Sequence, residues 1–150
     1  MSKLIKLYDM AAKDSSINVY DYAMELAPAI SVHDESEYYI AMDGKKLKTV
    51  AERTVAFAHE MGHCNEHAFY NTNNELDVME RYELKANKWA VSFLIPENEL
   101  LEAVENGIKE IYDLSEYFGV TEEFMKIALE VYSLDEEFVA EIEKNCHEDD

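Results

Sequence analysis

Residues 58–63 read Ala58-His59-Glu60-Met61-Gly62-His63, inside a stretch from Thr49 to Ala68 whose apolar side chains recur at helical spacing. Val50, Thr54, Phe57, Met61, Cys64 and Ala68 fall three or four residues apart and form one buried stripe. His59 and His63 lie off that stripe. Two imidazoles four residues apart on a helix point about 40° apart, so both can reach one ion. Zinc suits the pair, because imidazole nitrogens bind it at about 2.0–2.1 Å in tetrahedral geometry. Glu60 stands beside the histidines but points past them. A carboxylate there can take the proton of a water attacking a carbonyl and return it to the leaving amine. The six residues predict a helix buried on one face and chemically active on the other.

Two histidines do not complete a metal site. Glu83, Ala86, Asn87 and Ala90 share one face of a second predicted helix, from about Val78 to Leu94. Alanines on that face permit a close approach to another helix, and the separation of 20 residues between His63 and Glu83 allows a loop and a return. Glu83 is therefore the expected third ligand. A fourth position is left open, which is the layout of a catalytic zinc rather than a structural one. His67 is the rival ligand. It continues the four-residue spacing, but a further 40° of rotation and about 6 Å of rise carry it away from a shared ion. Its expected place is the rim of the site. Cys64 lies on the apolar stripe and reads as a small core residue. Tyr70, Tyr82 and His33 are donors that could face an oxyanion, although packing accounts for tyrosines at least as well. The plain alternative to a metal site is a solvated helix face with Glu60 in surface pairs. The buried stripe, Gly62 and the matching second helix weigh against it.

Outward from this centre, residues 2–13 and 18–27 read as helical, with Pro28 closing the second segment. Ala29 to His33 and Tyr38 to Met42 read as two strands around an acidic turn, Asp34 to Glu37, and Asp43-Gly44 turns the chain again. Pro96 disfavours helix at Ile95 and can open the next one. Helices are expected near 97–106, 108–118 and 121–132, with Thr121 as a cap, and a last one near 135–145. The fold class is α+β with helices dominant. The length of 150 residues fits a single domain, with its core over about 20–132 and a short acidic tail at 146–150.

Composition narrows the function. There are 13 basic against 33 acidic side chains, a net charge of −20. Such a surface repels phosphate backbones, which argues against direct nucleic-acid binding and suits a basic protein partner. Cys64 and Cys146 are the only cysteines, far apart and without CxxC spacing, which points to free thiols in a reducing compartment. No stretch approaches the roughly 20 apolar residues of a membrane span, and the first residues hold no uninterrupted apolar run. The protein is expected to be cytoplasmic and without a membrane anchor.

The run HEMGHCNEHAFYN from His59, followed by ELKANKWAVSFLIP from Glu83, resembles the ImmA/IrrE family of small zinc metallopeptidases. The likeness covers about residues 20–132, is strongest from Val55 to Pro96, and extends to DLSEYFGVTEEFMKIALEVY near the C-terminus. It implies a minimal zincin: a small sheet beside an active-site helix, completed by further helices. His59, His63 and Glu83 then take the places of the Zn2+ ligands and Glu60 that of the catalytic base. Members act on a helix-turn-helix repressor of a phage or mobile element, cleaving or inactivating it, so such a repressor is the implied partner. A non-proteolytic antirepressor that sequesters a DNA-binding partner, with zinc serving structure, is the alternative. In zincins an edge strand beside the active-site helix can hold an extended substrate by strand addition. Tyr38 to Met42 is the candidate here, with Tyr39, Ile40 and Ala41 as substrate-binding residues. The sequence departs from the pattern at Trp89, where Phe is commoner, and in the extra His67. No helix-turn-helix segment is seen at the N-terminus, so repressor binding is expected to be left to a separate protein.

Overall fold

In a computed structural model, residues 2–70, 75–133 and 144 are described. The elements run α1 (Lys3–Lys13), β1 (Ile17–Asp21), β2 (Ala29–Asp34), β3 (Glu37–Met42), α2 (Val50–Asn65), α3 (Leu76–Leu94), α4 (Glu97–Glu105), α5 (Ile111–Phe118) and α6 (Glu122–Tyr132). The protein is α+β and mainly helical, as expected. The expected helix at 135–145 lies outside the described residues. The chain divides into two compact units, the boundary falling after Ala90.

In the first unit the three strands form one mixed sheet in the order β1-β3-β2, with β1 parallel and β2 antiparallel to β3. Ile40 and Met42 of β3 are buried. Phe57, Met61 and Cys64 of α2 are buried too, and Tyr8 of α1 meets the Phe57 ring edge-on at 4.7 Å. The predicted stripe of α2 is therefore in the core, except Val50, which is 64% exposed in the first turn.

Two expectations are corrected here. Residues 18–27 are not a helix: Ile17–Asp21 is β1, and the rest is a loop. Tyr20, Ala23, Met24 and Leu26 have helical spacing, yet Ile17 to Asp21 find strand partners at Tyr38 to Met42. The loop's backbone groups are satisfied by side chains from elsewhere: Asp43 Oδ2 accepts from the Met24 N–H at 3.1 Å, and Lys46 Nζ donates to the Met24 and Glu25 carbonyls. The second correction concerns β3. It is the central strand, with both ladder sides taken, so Tyr38 to Met42 cannot accept an added strand. Ile40 belongs to the core, and Tyr39 stacks on Tyr20 of β1 with ring centroids 6.4 Å apart.

In the second unit, α3 ends at Leu94 and Pro96 occupies the N-cap of α4. Thr121 caps α6 by accepting from the Phe124 N–H, and Gly119 ends α5 at φ 69°, a conformation that glycine adopts without steric cost. Leu100, Leu114, Phe124 and Met125 are buried, and the Tyr132 hydroxyl donates to the Ile95 carbonyl at 2.7 Å.

Candidate metal centre

Local chemistry sets both ends of α2. Thr49 accepts from the Glu52 N–H at 3.0 Å at its start. At its end His67 takes a left-handed conformation, φ 50°, while the Ala68 N–H returns to the His63 carbonyl at 2.9 Å and the His67 N–H to that of Cys64. This is a Schellman stop with histidine where glycine is usual. The turn brings the Ala68 carbonyl onto His63 Nδ1. His67 is thus the residue that stops the helix; its ring meets the Tyr38 hydroxyl rather than the other two imidazoles.

α3 reaches the histidines because nothing separates the two helices at Gly62. A Cβ at that position would lie 2.5 Å from the Ala86 carbonyl oxygen and 3.0 Å from the Ala86 Cα. With the backbones this close, Glu83 and Asn87 of α3 both arrive at the α2 imidazoles. His59 Nε2 lies 2.9 Å from Glu83 Oε2, His63 Nε2 lies 3.3 Å from Glu83 Oε1, and the two Nε2 atoms are 3.2 Å apart. A tetrahedral ion with bonds of about 2.0–2.2 Å separates its ligand atoms by roughly 3.3–3.6 Å. The two nitrogens match this closely, and the Glu83 carboxylate lies against both of them.

Hydrogen bonds aim the nitrogens. His63 Nδ1–H donates to the Ala68 carbonyl, which can only accept, and His59 Nδ1–H donates to Asn87 Oδ1 at 2.8 Å. Both Nε2 atoms are thereby turned toward Glu83, as N–H donors when the imidazoles are protonated and as lone pairs for a metal when they are neutral. The Tyr70 hydroxyl donates to Glu83 Oε1 at 2.9 Å. Among the described residues these three form the one group of histidine, cysteine and acidic side chains able to hold a metal ion, with ligand atoms all within 4.8 Å. The expected ligand set is brought together.

Charge follows geometry. Burial is the largest influence on His59 and His63 and opposes their charge, but the bonded Glu83 carboxylate, the hydrogen bonds to Asn87 and the Ala68 carbonyl, and the Glu60 charge together outweigh it, so both imidazoles sit above their ordinary value. Hydrogen bonds from His59 and then His63 hold Glu83 well below the usual carboxylate range, against the effect of burial. Cys64, desolvated behind the site, is pushed up to about 12 and stays an inert thiol.

Glu60 is different. It is 8% exposed and makes no hydrogen bond or ion pair among the described residues. A buried carboxylate without a partner is costly and calls for a reason. Its surroundings supply one: Glu60 lines a cleft of about 280 Å3 with His63, Glu83, Phe69, Tyr70 and residues 29–31 of β2. The expected picture of one buried face and one open face needs adjusting, since Glu60 and His63 (6% exposed) are both buried.

Three contributors were not foreseen in these roles: Asn87, the Ala68 carbonyl and Tyr70. Asn87 was visible as a face neighbour of Glu83. Its bond to His59 depends on how α3 meets α2. Replacing Asn87 by alanine is expected to weaken metal binding about 10–100-fold, measured by chelator competition, with little change in the helical signal.

The pH dependence has two opposite parts. Metal binding needs both imidazoles neutral, and both sit above 6.5, so affinity is expected to fall as pH drops below about 7. In the metal-free protein, the raised imidazoles stabilise the fold below 6.5 and lose that contribution as pH rises through their folded values. Glu83 contributes above 4.5 and loses its contribution only on strong acidification. The Tm advantage of metal-free wild type over Glu83→Gln is therefore expected to peak between 4.5 and 6.5 and to shrink at higher pH.

A buried acid held without a partner beside preformed metal donors is the organisation of a metallopeptidase-like centre. The chain belongs to the Peptidase_M78 family, the IrrE N-terminal-like domain, whose family model matches residues 23–130. This agrees with the resemblance carried by residues 59–71 and 83–96. No curated protein matches significantly, and neither does any solved structure. Among the described residues no helix is long and apolar enough to cross a membrane.

Proposed function

We propose that the protein is a zinc-dependent endopeptidase of the cytoplasm whose substrate is a helix-turn-helix repressor of a phage or mobile element. The observation that carries the enzymatic part is the buried, unpartnered Glu60 carboxylate in the cleft that also holds His63 and Glu83. His59, His63 and Glu83 would hold the metal. Two imidazoles and one carboxylate are a donor set that zinc accepts, with a position left for a reactant. When bound, zinc supplies Lewis acidity that polarises a peptide carbonyl and makes water more acidic.

The protein's own groups do the rest. Glu60 accepts a proton from the attacking water and passes it to the nitrogen of the leaving amine. Asn87 and the Ala68 carbonyl keep the imidazoles from turning. β2, an edge strand of the sheet, replaces β3 as the candidate for holding an extended peptide: Ala29 to Ser31 line the cleft, and β2 pairs only with β3 among the described residues. The charge of −20 favours a basic partner such as a DNA-binding protein. The same charge favours the second reading, an antirepressor that sequesters its partner without cutting it.

The test is co-expression with candidate helix-turn-helix repressors from the same genome, followed by mass spectrometry of both proteins and metal analysis of the purified chain. Stoichiometric zinc with a single cut in the repressor supports the reading. An intact repressor that is nonetheless released from its operator would establish sequestration instead.

A further inference from the structure

We propose that Tyr70 is a positioning residue that holds Glu83 so that Oε2 alone is offered to the metal. This deepens the metal-centre reading and rests on it. The Glu83 side chain is 39% exposed, so packing alone does not lock it. Both of its oxygens face the imidazoles, Oε2 at 2.9 Å from His59 Nε2 and Oε1 at 3.3 Å from His63 Nε2. A carboxylate placed this way can engage an ion through one oxygen or through both. Engaging both would consume the position a reactant needs.

Tyr70 decides between these. Its O–H donates to Oε1 at 2.9 Å, which occupies a lone pair on that oxygen and lowers its donor strength. Oε2 keeps its full basicity and becomes the ligand. The phenol is itself held: its ring stacks on Tyr82, the residue before Glu83 on α3, with centroids 6.3 Å apart and planes 17° apart. Tyr70 also follows Ala68 by two residues. The segment 68–70 therefore fixes two of the three ligands, His63 through a carbonyl and Glu83 through a hydroxyl.

The experiment loads wild type, Tyr70→Phe and Tyr82→Phe with Co2+ and follows three readouts. These are the visible d–d absorption, affinity by chelator competition, and titration with acetohydroxamate as a probe of the vacant coordination position. Tyr70→Phe removes one partly exposed hydroxyl and keeps the stacked ring, so the fold is retained. Its cobalt band is expected to weaken as coordination number rises, its metal affinity to fall about 10–100-fold, and its acetohydroxamate affinity to fall as well. Tyr82→Phe keeps the stack and the Tyr70 hydroxyl, and is expected to match wild type. A Tyr70→Phe spectrum and affinity equal to wild type would overturn the role of Tyr70 and leave the metal centre standing. Failure of wild type itself to bind Co2+ stoichiometrically would overturn both.

Discussion

Replacing Glu60 by glutamine is expected to lower peptide cleavage about 10³-fold while metal content stays at the wild-type level. Glutamine keeps the shape and volume of the side chain but cannot take a proton from water or deliver one to an amine. Glu60 is 8% exposed and bonds to no described residue, so the substitution breaks no structural contact. Stability of the metal-free protein is expected to change by less than about 1 kcal/mol, because the amide keeps the shape of the carboxylate and only the attraction between Glu60 and the two imidazoles is lost. The measurements are cleavage of the co-expressed repressor, zinc per chain, and a urea denaturation curve. Undiminished cleavage would remove Glu60 from the mechanism. Lost zinc would reassign it to the metal shell.

Gly62→Ala carries the second large effect. In the interior of an exposed helix, alanine for glycine stabilises by about 1 kcal/mol. Here the added methyl would sit 2.5 Å from the Ala86 carbonyl oxygen and 3.1 Å from its carbon, and these are backbone atoms that cannot swing aside. α2 and α3 must part instead. The expected net result is a loss of about 1–3 kcal/mol in the metal-free protein, from overpacking. Metal affinity should fall further than stability does, because Glu83 and Asn87 ride on α3 and withdraw together from His63 and His59. Urea denaturation of the metal-free chain and chelator competition separate the two effects. A Gly62→Ala protein more stable than wild type would mean that the helices do not meet at this point.

Much of this centre was legible in the residues. The His59, Glu60 and His63 spacing depends only on the pitch of one helix, and that helix is set by nearby signals: the Thr49 cap and the stripe Thr54, Phe57, Met61 and Cys64. The alanines on the Glu83 face, Ala86 and Ala90, told of a close helix pair before either helix was placed, whereas the part played by Gly62 emerged only from the fold. Where the reading failed, the deciding partner was distant in sequence. Ile17 to Asp21 became a strand because Tyr38 to Met42 offered a ladder. Residues 22–27 became a loop because Asp43 and Lys46 answered their backbone groups. No local periodicity contains those partners.

The sequence alone therefore determined which side chains could hold a metal, and it pointed to Glu60 for the proposed proton transfer, since both readings depend on residue types at helical spacing. Tertiary structure decided how those groups are held and which strand stands at the edge of the sheet beside the cleft. Asn87 orients His59, Tyr70 grips Glu83, Glu60 is left buried without a partner, and β2 rather than β3 stands at the edge of the sheet. Spacing along one helix is a local property. Strand order and the meeting of two helices are contacts between distant parts of the chain, and only the folded chain supplies them.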